Sequence, residues 1–441
     1  MFRWHPVHRV GCLVVLGLIF GPRGAQAQQA LTLEMAVQEA RANNPDLKAV
    51  RQSVGVTGGE LKTASLLFPF NPQVEFERTS DRYSAKQGEG GYSLSLSQEI
   101  EIAGQRWRRR RVAQADVSRA QAEAQDFERG LAAEVREGFY RLLFSQRRAE
   151  TMKAIADLNG QLTDAAQRRF KAGDIPELDY NLVLIERNRT GAEQALAESQ
   201  VQGAMGEMNR LLGRPPDALT IAAEGWTPGD SVKVPDLEAL KAIALRVRPD
   251  LKALAAGVQA AQGAASVALA GLVPNPVFSL SYRVERSIFT GQDVFGDPAI
   301  TRGITGIRDR DRLLTAKVSI PVPLFNRNQG QIYTARAAQR VAEAALEGRQ
   351  RAVAVEVTVA YRRFQGAQRA LALFQEIAPK LDENAALVVR AYRAGETNLP
   401  TLLVEQDRIF RAKLAHLDAL LEYESALSAL ERAVGESISK P

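Results

Sequence analysis

Glu99 and Glu101 are the first residues whose type and spacing invite a chemical reading, because paired carboxylates can act as general acid and base. At i and i+2 on a strand they share one face, the lumen face in the reading below, and no nucleophile, base and orienting group accompany them. His416 is a candidate metal ligand, but the remaining histidines and the single cysteine, Cys12, lie within the first 27 residues. Carboxylates alone make a weak soft-metal site, so a solvated or helix-packed His416 is expected. The run Arg106-Trp107-Arg108-Arg109-Arg110-Arg111 has the residue types that bind phosphate. Formal charge is +6, but Arg3, Arg9 and Arg23 lie in a segment expected to be removed, and the remaining +3 does not argue for nucleic acid. No catalytic residue, cofactor or resident metal is expected, and the chain does not read as an enzyme.

The elements that position these residues come in two copies. Pro45-Asp46-Leu47-Lys48-Ala49 returns as Pro249-Asp250-Leu251-Lys252-Ala253, and Asn71-Pro72 returns as Asn275-Pro276, both 204 residues later. Further along the offset becomes 222: Val135 matches Val357, Phe139 matches Tyr361, Ala172-Gly173 matches Ala394-Gly395, and Gly213 matches Gly435. Agreement at so many fixed offsets marks an internal duplication. Residues 28–213 form the first unit and 236–436 the second, joined by a proline-containing linker over 214–235 and followed by a tail over 437–441. The second unit carries 18 extra residues between Asn275-Pro276 and Leu324.

Residues 1–27 read as a secretory signal, with Arg3 and Arg9, an apolar run from Cys12 to Phe20, and Ala25-Gln26-Ala27 as the cleavage site. Its removal takes away Cys12, leaving no disulfide and no thiolate metal site. No later run of 18 apolar residues is expected to span a bilayer as a helix, so any membrane the protein enters is crossed by strands.

Leu31 to about Phe68 has helical periodicity, opened by Thr32 and broken at Asn43-Asn44-Pro45, since a residue before proline avoids the α region. From Gln73 the period changes to 2, and a hairpin is expected over 73–102. Tyr92, Leu94, Leu96, Ile100 and Ile102 form one face; Ser93, Ser95, Ser97, Glu99 and Glu101 form the other. Small and acidic groups opposite an apolar face suit a strand between a water-filled lumen and lipid. A second hairpin is expected over 277–324, with Phe278, Leu280, Tyr282 and Val284 in one strand and Leu314, Ala316, Val318, Ile320 and Val322 in the other. The extra residues enlarge its polar loop, about Ser287 to Arg312. Long helices follow, over 106–212 and 329–434, each folded back at a tip: Ala172-Gly173-Asp174 and Ala394-Gly395-Glu396, with glycine as the helix stop. A helix of about 65 residues is on the order of 100 Å long and must pack laterally as a coiled coil.

Four strands cannot close a membrane barrel, and an open edge leaves backbone groups unpaired in lipid. Several chains must therefore share one barrel, and three supply twelve strands. The fold expected is mostly α with a small β part: a long antiparallel helical tunnel continuing a shared barrel. The arginine run directly after a membrane strand then reads as an interfacial anchor, with Trp107 at headgroup level and Arg108 reaching lipid phosphate. A solvated helix start is the alternative.

The signal segment, the doubled Pro-Asp-Leu-Lys-Ala, the Asn-Pro before each hairpin and the paired Ala-Gly tips together resemble the TolC family of outer-membrane efflux proteins, over about Leu31 to Glu436. The short Asn-Pro strands and the Arg- and Ala-rich helices are most similar to its cation-efflux (CzcC-like) branch. The resemblance implies a homotrimer in the outer membrane of a Gram-negative bacterium, with its tunnel in the periplasm. It also implies that the tips dock onto a periplasmic adaptor and an inner-membrane pump of the resistance-nodulation-division type, with metal cations as cargo. In that family, acidic residues after the second tip narrow the entrance. The corresponding positions here are Thr401 and Val404, neither acidic, while the equivalent count in the first unit reaches Asp179 and Glu405 lies nearby. A channel for drugs or other organic compounds, the exit duct of a type I protein-secretion system, and a pore-free periplasmic coiled coil are the competing readings. The alternating strands argue against the last.

Overall fold

The computed structural model describes residues 30–80, 89–223, 234–289 and 307–438. The signal segment, the middle of the linker and the end of the tail lie outside them, as do the centres of both strand-connecting loops. Each half runs helix, helix, strand, strand, long helix, return helix. The first half comprises α1 (Leu33–Asn43), α2 (Pro45–Ala64), β1 (Gln73–Ser80), β2 (Gly90–Glu99), α3 (Gln105–Lys171) and α4 (Glu177–Leu212). The second comprises α5 (Leu237–Val247), α6 (Pro249–Ala270), β3 (Val277–Phe289), β4 (Ile307–Ser319), α7 (Gln329–Arg393) and α8 (Leu399–Val434). Thr32 caps α1 by accepting from the Met35 amide, and Asn44 caps α2 by accepting from the Leu47 amide. Pro45 at the first position of α2 enforces the break between them.

The repeated Pro-Asp-Leu-Lys-Ala motif marks a joint. The residue just before it, Asn44 in one half and Arg248 in the other, is buried. Asn44 Nδ2 donates to the carbonyl of Leu211 (3.0 Å), and Arg248 Nη1 donates to that of Ala433 (2.8 Å). Leu211 and Ala433 are themselves 222 apart, in the last turns of the two return helices. Each joint thus pins a short helix pair to the end of its own return helix and satisfies a carbonyl that the helix end leaves open. Gly213 and Gly435 follow at φ +72° and +91°, and a Cβ there would press on Asn43 and Arg248.

At the second joint the guanidinium of Arg248 grips Asp250 with two bonds (3.0 and 2.8 Å) and reaches Glu356 (2.9 Å). Arg349 closes the ring, donating to Asp250 (2.8 Å) and Glu356 (2.6 Å). Burial opposes ionisation of Asp250, but the hydrogen bonds from Arg248 and Arg349 outweigh it and hold the carboxyl at about 2. Around these joints lies the main core, where Val135, Phe139 and Leu143 of α3 meet Met208 and Leu212 of α4, Val357 and Phe364 of α7, and Leu427 and Leu430 of α8.

The strands form one antiparallel sheet in the order β1-β2-β3-β4, so β2 and β3 join the two halves. Leu96 stands opposite Val74 and Leu280, and Leu94 opposite Phe76 and Tyr282. These apolar side chains share one exposed face. The other face carries rows such as Glu75–Ser95–Ser281–Thr315 and Glu77–Ser93–Arg283. β1 and β4 each pair on one side only.

The structure differs from the expectations at five points. β2 ends at Glu99 rather than Ile102, and β4 at Ser319 rather than Val322. The last ladder bond of β2 runs from the Ile100 amide to the Pro276 carbonyl, and Pro321 and Pro323 have no amide with which to extend β4. Glu101 therefore lies past the strand and does not share a lumen face with Glu99; it is buried and paired with Arg109. The segment read as a polar loop from Ser287 to Arg312 is strand as far as Phe289 and again from Ile307. Its alternating Arg308, Asp309, Arg310, Asp311 and Arg312 is itself a period-2 pattern, hidden by the absence of apolar residues. Finally, α6 is long and apolar enough to cross a membrane by length and composition. It instead lies along α3 and α7, with Gly263 against Val112.

α7 retains an open side. Val341, Val355, Val359 and Leu373 are 62–69% exposed, at separations of 14, 4 and 14 residues. These are a and d positions of one heptad register, an apolar stripe without a partner inside the chain.

Candidate functional site

Three parts of the chain carry the candidate functional residues: a polar wall, a pair of helix tips and the junction between strands and helices. The wall is the polar sheet face, built because successive side chains of a strand point to opposite sides. Glu77 accepts from the Ser93 hydroxyl (3.3 Å) on that face, and Arg283 pairs with Glu285 (3.0 Å).

At the tips, both chain reversals have the same geometry. Gly173 sits at φ +82° and Gly395 at +79°. The Asp174 amide donates to the Arg169 carbonyl (2.9 Å) and that of Gly173 to the Phe170 carbonyl (3.0 Å). The Glu396 and Gly395 amides repeat this with Ala391 (2.9 Å) and Tyr392 (3.1 Å). This double closure is the Schellman motif, which needs a left-handed residue and so selects glycine. Ala172, Gly173, Asp174, Ala394, Gly395 and Glu396 are all exposed. Behind them the two tips are locked together: Ala166 and Val183 pack with Leu399 and Leu402, Phe170 stacks on Tyr180, and Arg169 donates to the Tyr392 hydroxyl (3.1 Å).

The entrance candidates fall in the first turns of the return helices. Asp179 is half-buried in α4. In α8, the Thr401 amide donates to the capping Asn398 side chain (2.9 Å), Val404 is exposed, and Glu405 pairs with Arg408 (3.3 Å). Sequence reasoning missed the ion-pair group just beyond. Arg189 of α4 holds Glu186 (2.6 Å) and Glu193 (2.9 Å) of its own helix and Asp407 of α8 (2.9 Å). The Glu186 hydrogen bond chiefly raises the Arg189 pKa, with burial opposing it. Nothing in the linear order joins Arg189 to Asp407; only the pairing of the two return helices does.

At the junction, the repeated Asn-Pro has a task. Asn275 donates to Glu99 (2.7 Å) and accepts from Gln105 (2.9 Å), tying the end of β2 to the start of α3. Trp107 is 65% exposed, with the guanidinium groups of Arg106 and Arg110 5.6 and 5.9 Å from its ring centre. Arg108 is partly spent on the protein, donating to the Ser266 carbonyl (3.0 Å). His416 stacks on Phe374 with ring centres 6.1 Å apart, and burial lowers its pKa. Among the described residues, no group of three or more His, Cys, Asp or Glu side chains is placed to hold a metal ion.

Residues 36–214 and 241–436 each match the outer membrane efflux protein family. The chain belongs to that family. It is an outer-membrane efflux channel, not an enzyme, with its helical tunnel in the periplasm. Channels of this family are trimers that work with adaptor and pump partners. The sheet is one third of a twelve-strand barrel, which accounts for the half-paired β1 and β4. The apolar face meets lipid and the polar face lines the lumen. The chain is 25% identical over 417 residues, 93% of its length and 91% of the relative's, to the cobalt-zinc-cadmium resistance protein CzcC of Cupriavidus metallidurans. It is 24% identical over 434 residues, 91% of its length and 85% of the relative's, to the pyoverdine export outer membrane protein OpmQ of Pseudomonas putida. Among solved structures, the outer-membrane channel OprN superposes with a TM-score of 0.72 at 19% identity, covering 92% of this chain and 91% of that one.

Proposed function

We propose that this channel is the exit duct for divalent heavy-metal cations, working with a periplasmic adaptor and an inner-membrane pump of the resistance-nodulation-division type. The relation to CzcC, which runs nearly end to end in both chains, carries this reading. The lumen wall supports it, since Glu75 and Glu77 among serine and threonine hydroxyls give a hydrated cation a favourable passage. The cation is cargo, and its selection belongs to the pump. The six exposed tip residues form the adaptor-docking surface, held rigid by the apolar contacts behind them. Asp179 and Glu405 supply carboxylates near the entrance, beside the uncharged Thr401 and Val404. Trp107 and Arg108 anchor the chain where the barrel leaves the membrane.

The test is growth of a deletion strain on zinc, cobalt and cadmium salts, beside dyes, detergents and an iron-chelating siderophore. Sensitivity to the metal salts alone is the expected result. Sensitivity to the organic compounds alone overturns the cation reading in favour of organic-solute export, which the relation to OpmQ supports. No phenotype on either set overturns it in favour of protein secretion.

A further inference from the structure

The lipid face of the sheet changes character toward the loop end of the strands. Nearer the helices its rows are Val74–Leu96–Leu280–Ala316 and Phe76–Leu94–Tyr282–Leu314. Two residues on, the row becomes Arg78–Tyr92–Val284–Arg312, then Ser80–Gly90–Arg286–Arg310, and Arg308 follows opposite Ile288. The pleat puts Arg78, Arg286, Arg308, Arg310 and Arg312 all on the outward face, and all five are exposed. Their acidic neighbours in sequence, Glu285, Asp309 and Asp311, point into the lumen by the same alternation. Among the described residues, none of the five arginines takes part in an ion pair.

Such an arrangement works against the barrel on its own. Arg286 stands directly opposite Arg310, and like charges directly opposite on one sheet face are destabilising. The first all-aliphatic row and the first arginine row are four residues apart, on the order of 13 Å along the strand. The arginines therefore lie at the outer edge of the apolar band, where lipid headgroups begin. Guanidinium groups bind phosphate in a bidentate manner.

We infer that these arginines bind the phosphorylated headgroup of an outer-leaflet glycolipid of the lipid A type. Three copies form an arginine girdle around the barrel, with the lipid phosphates supplying the neutralising charge. The girdle is separate from the lumen and from the tips, so it serves seating of the barrel in the membrane rather than transport.

The test is native mass spectrometry of the detergent-solubilised full-length trimer titrated with bisphosphorylated lipid A, with its dephosphorylated form and with inorganic phosphate. Bisphosphorylated lipid A is expected to give bound species with the unaltered protein, at concentrations where the dephosphorylated form gives none. An Arg310→Ser/Arg312→Ser variant, and independently Arg78→Ser/Arg286→Ser, is expected to bind at least tenfold more weakly while remaining trimeric. The lumen-facing Arg283→Ser is expected to bind as the unaltered protein does. Equal binding by the girdle variants, or equal binding of the dephosphorylated lipid, overturns the inference. Displacement by inorganic phosphate at similar concentration also overturns it, assigning the arginines to free phosphate.

Discussion

Replacing Arg248 with alanine tests whether the second joint is held by charge. Arg248 is 2% exposed and makes four hydrogen bonds: two to Asp250, one to Glu356 and one to the Ala433 carbonyl. Removing one partner of a buried ion pair typically costs about 3–5 kcal/mol, because the other charge is left without compensation. Arg349 still serves both carboxylates here, and Glu356 is 41% exposed, so the expected loss is at the lower end, about 3 kcal/mol. The assay is urea unfolding of the detergent-solubilised protein followed by helical circular dichroism. The pH dependence supplies a second arm. Asp250 is depressed from 3.8 to about 2, so its stabilisation is complete above about pH 4 and is lost as pH falls toward 2. The gap between unaltered protein and variant should narrow over that window. Arg248→Asn copies the residue that occupies the first joint and should recover part of the loss through the Ala433 carbonyl. A loss below about 1 kcal/mol at pH 7, or a gap that does not change between pH 5 and 2.5, refutes the reasoning.

Leu96→Arg or Leu280→Arg places a charge on the lipid face, at a cost of about 2–4 kcal/mol near midplane. Gel analysis of outer-membrane fractions should show fewer trimers, and normal trimers would contradict the facing of the sheet. Gly173→Val with Gly395→Val puts β-branched residues at φ near +80°, where even one ordinary residue costs roughly 1–2 kcal/mol. Trimers should persist while export fails, and full resistance on metal plates would count against docking at the tips. Val355→Glu charges the open apolar stripe of α7, which a neighbouring protomer is expected to cover, so it should block trimer formation as read by chemical cross-linking; trimers at normal yield would refute that contact. Burial lowers the His416 pKa, so its neutral form favours the fold above about pH 6.5, and that contribution is lost as pH falls below it. His416→Phe should unfold less readily than the unaltered protein when pH is lowered from 7 to 5.

The sequence by itself determined the duplication, the order of elements and the chain reversals. These follow from local rules: a proline breaks a helix before Pro45, a glycine stops one at Gly173, and a period of 2 marks the strand through Leu94 and Leu96. The strand continuations through Arg308–Arg312 escaped, because a strand carrying charge on both faces lacks the apolar alternation by which membrane strands are read. Only the tertiary structure decided which side chains meet. It set Arg248 against Ala433, Arg189 against Asp407 and Asn275 between Glu99 and Gln105, contacts between residues 170 to 218 apart in the chain. It also separated Arg286, Arg308, Arg310 and Arg312 from the acidic residues beside them in sequence by sorting the two sets to opposite faces of the sheet. Short-range periodicity encodes where an element begins and which way it points. The partner of a buried charge depends on how elements pack, which no window of sequence contains.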